Sequence, residues 1–143
     1  MDQLSLLDVN VLLALVTPNH IHHKSATEHL LELKGSWATC GVTEAGFLRL
    51  LLTPAVMGRE VSGPEALGLL ESLRGVRGWQ WIDAVAPLAS SKVEWGVLSS
   101  RNQVTDLQLI EIASMHGARL CTYDAKMLRF LAPNDADLVE VWQ

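Results

Sequence analysis

Short apolar runs that stop at a small or acidic residue, each followed by a stretch of helical spacing, recur along this chain and constrain its fold more than any other feature. Leu4–Leu7 is four residues long and ends at Asp8, after which Val9–Val16 is almost wholly apolar and is closed by Thr17, Pro18 and Asn19. A proline there ends an internal helix. Residues 22–33 read as an amphipathic helix ending near Lys34 and Gly35, and residues 37–40 read as a short strand. Gly41, Val42 and Thr43 then lead into a helix with Phe47, Leu48, Leu51 and Leu52 at helical spacing.

The same order continues downstream. The pattern loosens over 53–63, and Ser62, Gly63, Pro64 and Glu65 then combine capping-box spacing with an early proline, which starts a helix running to Leu73. Residues 79–82 alternate as a strand does, and 87–99 return to helical spacing. Thr105 and Gln108 form a second capping-box pattern before Leu109, Ile110, Ile112 and Ala113, and Gly117 stops that helix. A strand over 120–122, a short helix over 125–131 and a strand over 138–142 complete the order. Alternating strands and helices predict an α/β three-layer sandwich, a central and mostly parallel sheet covered on both faces.

A chain of 143 residues suits one domain over 1–143. With 49% hydrophobic and 19% charged residues it has enough apolar material for a core that needs no disulfide. No apolar run approaches the roughly 20 residues of a membrane-spanning helix, and no basic leader precedes Leu4, so a cytoplasmic protein without a membrane role is expected. Cys40 and Cys121 end apolar segments and read as reduced core residues. The net charge of −5 speaks against a general electrostatic grip on nucleic acid. Four acids gathered in one site would account for −4 of that −5, and a divalent cation would reverse the local sign.

Those four are Asp8, Glu44, Asp106 and Asp124. Asp8 and Asp124 follow predicted strands, whereas Glu44 and Asp106 lie in the first turns of helices. The carboxyl ends of parallel strands share one edge of the sheet, where ligands bind. Glu44, Phe47, Leu48 and Leu51 follow i, i+3, i+4, i+7, as do Asp106, Leu109, Ile110 and Ala113, so both acids belong to buried stripes. Favourable interaction with a helix dipole, about 0.3 to 1 kcal/mol, accounts for any one of them alone. It does not account for four, because each pair at about 4 Å repels by roughly 4 kcal/mol at an effective dielectric near 20. Such a cluster takes up protons or holds cations, and Mg²⁺ suits an all-oxygen site. Asn10 and Thr122, each two residues from an acid, are placed to orient a carboxylate or a water by hydrogen bonding.

The residues from Leu6-Leu7-Asp8-Val9-Asn10-Val11-Leu12-Leu13, through Thr43-Glu44-Ala45-Gly46-Phe47-Leu48-Arg49 and Val104-Thr105-Asp106-Leu107, to Leu120-Cys121-Thr122-Tyr123-Asp124 resemble the PIN-domain nucleases, and within them the VapC-like toxins of bacterial toxin–antitoxin pairs. The resemblance spans nearly the whole chain. It implies Mg²⁺ or Mn²⁺ held by Asp8, Glu44, Asp106 and Asp124, endoribonuclease action on RNA, neutralisation by a small antitoxin protein, and a homodimer. The position of Leu107 is often Ala in that family, so a bulkier side chain beside Asp106 is expected to narrow the site.

Other residues support different readings. His20, His22 and His23, with Cys40, invite zinc, but adjacent histidines cannot readily face one ion and a second cysteine is missing, so a solvated helix entry is expected. Arg49, five residues after Glu44, is placed to meet an acid of the site or a substrate phosphate, and Arg59, Lys92 and Arg101 are further cations for a nucleic-acid strand. Trp79 and Trp81 alternate on a short strand and are expected to pack rather than stack on bases. Two rival functions remain. In an aspartyl phosphotransferase Asp8 would be the nucleophile, against which stands Asn10 where a second acid is wanted, with Lys126 the only lysine near the site; a catalytically silent PIN-like module would bind RNA or protein.

Overall fold

In the computed structural model, residues 3–85, 88, 93, 94, 96 and 98–143 are described. Five strands, β1 (Leu4–Leu7), β2 (Trp37–Thr39), β3 (Trp79–Trp81), β4 (Ala118–Thr122) and β5 (Val139–Val141), form one sheet in the order β3-β2-β1-β4-β5. Every pairing is parallel, so the sheet expected to be mostly parallel is wholly so. β1 lies at its centre, with Leu6 opposite Ala38 on one side and Leu120 on the other.

Alternation along the strands divides the core in two. Leu6, Ala38, Cys40 and Leu120 face a cluster with Leu109, Ile110 and Ile112 of helix α6 (Val104–Met115). Leu7, Trp37 and Cys121 face the opposite cluster, built on α1 (Val9–Val16), α3 (Gly41–Leu51) and α5 (Gly63–Arg74), with α2 (His23–Glu32) adding Leu30 at its margin. Successive side chains on a strand point to opposite faces, so one run of apolar residues supplies both layers. Two short helices complete the chain, α4 (Pro54–Met57) in the loosely patterned stretch and α7 (Met127–Phe130) after β4.

Several boundaries shift for local reasons. The expected final strand over 138–142 contracts to β5, because a 3-10 turn over Pro133–Leu138 occupies its start. The helix expected over 125–131 is the four-residue α7. Thr105 and Gln108 do not cap α6. The capping box is formed five residues earlier by Ser100 and Gln103, and its 3-10 turn over Arg101–Gln103 runs straight into the helix, leaving Thr105 inside the first turn. Ser62 does cap α5 by accepting from the Glu65 N–H. The helical spacing over 87–99 falls largely outside the described residues.

One close approach fixes the entry to the site. A Cβ on Gly46 would lie 2.8 Å from Cγ2 of Val9, so α1 and α3 cross at a distance that only glycine permits. Gly46→Ala gains up to about 1 kcal/mol of helix propensity, but crowding a stiff β-branched neighbour costs about 1 to 3 kcal/mol. We expect a net loss near 1 kcal/mol, read as a melting temperature lower by about 3 °C. Because Val9 follows Asp8 directly, cleavage activity should fall more than stability does.

Candidate active site

Asp8 sits where β1 hands over to α1. Its N–H donates to Cys121 O at 2.9 Å, extending the parallel ladder one residue past the strand. The backbone then turns into the helix, and Asp8 Oδ1 accepts from the Val9 N–H at 2.7 Å. The other oxygen, Oδ2, accepts from the Thr122 hydroxyl at 2.8 Å. Asp8 is only 7% exposed, and burial raises its carboxyl above the ordinary range; the bonds from Thr122 and Val9 oppose that rise and the charge of Asp124 adds to it.

Thr122 joins three residues. Its oxygen accepts from Asn10 Nδ2 at 3.0 Å and from the Asp124 N–H at 3.0 Å, so its one proton is committed to Asp8. Asn10 Oδ1 in turn accepts from the Tyr123 N–H at 3.1 Å, tying α1 to the chain leaving β4. Asp124 Oδ1 accepts from the Lys126 N–H at 3.0 Å, a local turn that holds its carboxylate. Asp106 approaches from the first turn of α6 and is half-buried. Its carboxyl is pushed up to about 6 by burial and then by the charges of Asp8 and Asp124. Three of the four expected acids thus act on one another.

Glu44 reaches the edge separately. It stands in the first turn of α3, on the opposite face of the sheet from α6, and its Oε2 accepts from the Thr39 hydroxyl at 2.5 Å. Thr39 Oγ1 accepts in turn from Trp79 Nε1 at 2.9 Å. The charges that raise Asp106 are those of Asp8 and Asp124. Among the described residues no three His, Cys, Asp or Glu side chains form a ready-made metal cage. The donor set nonetheless fits Mg²⁺ or Mn²⁺. Every candidate donor is a carboxylate oxygen, Mg²⁺ needs only one or two of them because it retains several waters, and the crowding that raises Asp106 is what a cation relieves.

The remaining expected residues divide. Arg49 is exposed in the last turn of α3, and its guanidinium makes no ion pair among the described residues. Arg59 is paired with Glu65 at 2.6 Å, Arg101 is exposed, and Lys92 lies outside the described residues. Leu107 does not narrow the site: it is 0% exposed and packs with the α6 core cluster, because α6 turns it toward the sheet while Asp106 stays at the rim. Trp79 packs as expected, but Trp81 is 46% exposed among the described residues, at the end of the edge strand β3. The histidines are packed rather than solvated. His22 stacks on Tyr123 with ring centroids 4.1 Å apart, and His23 Nδ1 bonds Ala14 O at 2.8 Å. Cys40 and Cys121 are free and buried, and burial pushes the Cys121 thiol up to about 12, far from a reactive thiolate.

Thr39 and Glu111 escaped the sequence reading, and Trp79 entered it only as a packing residue. Thr39 and Trp79 carry no motif, and only strand pairing brings them to Glu44. Glu111 is 2% exposed on α6 and accepts from the Val93 N–H at 3.2 Å. Its place four residues after Leu107, on a buried stripe, was the available signal.

Thr122→Val should test the support of Asp8 directly. It keeps the buried shape but removes the proton from Asp8 and the acceptor for Asn10, and loss of such an outer contact lowers metal affinity by about 10- to 100-fold. Calorimetric titration with Mn²⁺ reads that change.

A wholly parallel α/β sheet with interacting carboxylates at the carboxyl ends of its strands defines a protein with an acidic ligand edge. Comparison with known proteins identifies which kind. The chain is 36% identical over 139 residues to Ribonuclease VapC39 of Mycobacterium tuberculosis, covering 96% of this chain and 98% of that one. It is 37% identical over 123 residues to Ribonuclease VapC38 of the same organism, covering 85% and 86% of the two chains. Among solved structures, VapBC2 from Rickettsia felis bound to a promoter DNA fragment superposes with a TM-score of 0.68 at 17% identity, covering 99% of this chain and 100% of that one. M. tuberculosis VapC20, a sarcin–ricin loop cleaving toxin, gives 0.65 at 16% identity, covering 97% and 99%. No family profile matches the chain. Identity above 30% over almost the full length of both chains places this protein in the VapC family of PIN-domain ribonuclease toxins.

Proposed function

We propose that this VapC-family ribonuclease is a Mg²⁺- or Mn²⁺-dependent endoribonuclease toxin whose ion is held by Asp8, Asp106 and Asp124, with Glu44 reaching it from the other face of the sheet. The observation behind this reading is the Asp106 carboxyl, raised to about 6 beside the buried Asp8. A bound divalent ion would lower the pKa of a water and stabilise charge developing on a phosphodiester.

The chain's own residues do the rest. Thr122 and the Val9 N–H fix both oxygens of Asp8, so its remaining lone pairs face the edge of the sheet in one orientation. Asn10 locks Thr122 and the Tyr123 backbone together, which sets Asp124. In the metal-free protein the Asp106 carboxyl titrates near 6, and a bound cation would displace that proton and leave the carboxylate free to coordinate. Exposed Arg49 and Arg101 are the cations we assign to the flanking RNA phosphates.

We further assign the chain one domain over 1–143, a cytoplasmic location, a small antitoxin as its inhibitor, and a homodimer. No helix among the described residues is long and apolar enough to cross a membrane. Leu52, Val56 and Leu67, each about half exposed near α3, α4 and α5, offer apolar surface for the second copy. Purified protein incubated with RNA should cleave it in Mg²⁺ or Mn²⁺ and stop when EDTA is added. Equal cleavage in excess EDTA would remove metal-dependent hydrolysis, and RNA binding without cleavage under any ion would favour the silent module.

A further inference from the structure

Two hydroxyls in this protein are wired in the same way. On β4, an amide N–H from Asn10 donates to the Thr122 oxygen, and the Thr122 proton goes to Asp8. On β2, the indole N–H of Trp79 donates to the Thr39 oxygen at 2.9 Å, and the Thr39 proton goes to Glu44 at 2.5 Å. We propose that Trp79 and Thr39 are positioning residues that hold the Glu44 carboxylate for the reaction, as Asn10 and Thr122 hold Asp8. The inference rests on the metal-dependent reading above.

Strand register sets the geometry. Trp79 pairs with Trp37 in the parallel ladder of β2 and β3, so its side chain lies on the same face as Thr39, two residues further along β2. Thr39 is 0% exposed, so its hydroxyl has no water to exchange with. With the indole against its oxygen, its single proton points at an acceptor, and a carboxylate accepts it best when ionised. The relay therefore fixes the rotamer of Glu44. Arg74 lies over the Trp79 ring, 4.3 Å from its centroid, and holds the indole plane.

The test compares Trp79→Phe, Thr39→Val and Thr39→Ser with the unmodified protein, using Mn²⁺ affinity by calorimetry and single-turnover RNA cleavage. Phe keeps an aromatic ring at this position but loses the N–H together with part of the indole, so a thermal melt of each variant separates lost packing from the lost hydrogen bond. We expect Trp79→Phe and Thr39→Val each to weaken Mn²⁺ binding and lower kcat by about tenfold or more with KM for RNA unchanged, whereas Thr39→Ser stays within about threefold. Combining Trp79→Phe with Thr39→Val should add nothing to Thr39→Val alone, because both break one relay. In the metal-free protein, the Trp79 indole N–H resonance should move in Thr39→Val and in Glu44→Gln. If Thr39→Val fails to fold, Trp79→Phe alone decides. Normal Mn²⁺ affinity and kcat in Trp79→Phe overturn the relay and leave the nuclease reading standing. An unmodified protein that binds no Mn²⁺ overturns both.

Discussion

Asp8→Asn is expected to lower RNA cleavage by about 10³-fold while the fold survives. Stabilisation of developing charge by a bound ion amounts to several kcal/mol, and each 1.36 kcal/mol is a factor of ten in rate. Asn matches the size of Asp and can still accept from the Val9 N–H, so the start of α1 is kept. The amide cannot satisfy Thr122, however. Both acceptor positions of that hydroxyl are taken by Asn10 and the Asp124 N–H, so an NH₂ group facing it puts donor against donor. Removing a charge that burial disfavours offsets part of that loss, so the melting temperature should change little. Single-turnover cleavage and a thermal melt on the same sample separate the two effects. Wild-type cleavage by Asp8→Asn would exclude Asp8 from the chemistry.

The second large effect is a loss of stability as pH rises. The Asp106 carboxyl titrates near 6 in the folded protein, against an ordinary value of 3.8. A raised acid favours the folded state fully below its ordinary value, and that contribution is lost as pH rises through about 6, where Asp106 must ionise beside Asp8 and Asp124. The metal-free protein should therefore melt at progressively lower temperature from pH 4 to pH 8. Asp106→Asn removes the penalty and should flatten that slope. At pH 8 the metal-free variant should be more stable than the unmodified protein by about 1 kcal/mol, a figure discounted because Asp106 is only half-buried. Adding Mn²⁺ should raise the melting temperature of the unmodified protein and hardly move the variant. The variant should also lose about 10²-fold in cleavage through loss of one anionic ligand. A wild-type pH slope in Asp106→Asn would mean that the crowding of charge lies elsewhere.

Much of the site was legible because it depends on local chain order. Asp8 directly follows a strand and starts a helix, and Asp124 follows β4 by two residues, so parallel geometry alone carried both to one edge. Asp106 was legible from the stripe of α6. Glu44 was legible as an inward acid but not as one held apart, because its partner Thr39 depends on which face α3 covers. Trp81 and Leu107 show the limit of local patterning. One ends an edge strand and the other lies against the sheet, and neither environment follows from spacing.

By itself the sequence determined an alternating α/β chain, a parallel sheet and the acids that end its strands, since periodicity and strand-to-helix order act over a few residues. The tertiary structure alone decided the strand order β3-β2-β1-β4-β5, the two faces from which Asp106 and Glu44 arrive, and the hydroxyl relays behind Asp8 and Glu44. Those depend on contacts such as Trp79 with Thr39, 40 residues apart in the chain, whose directed hydrogen bonds exist only once the strands have paired.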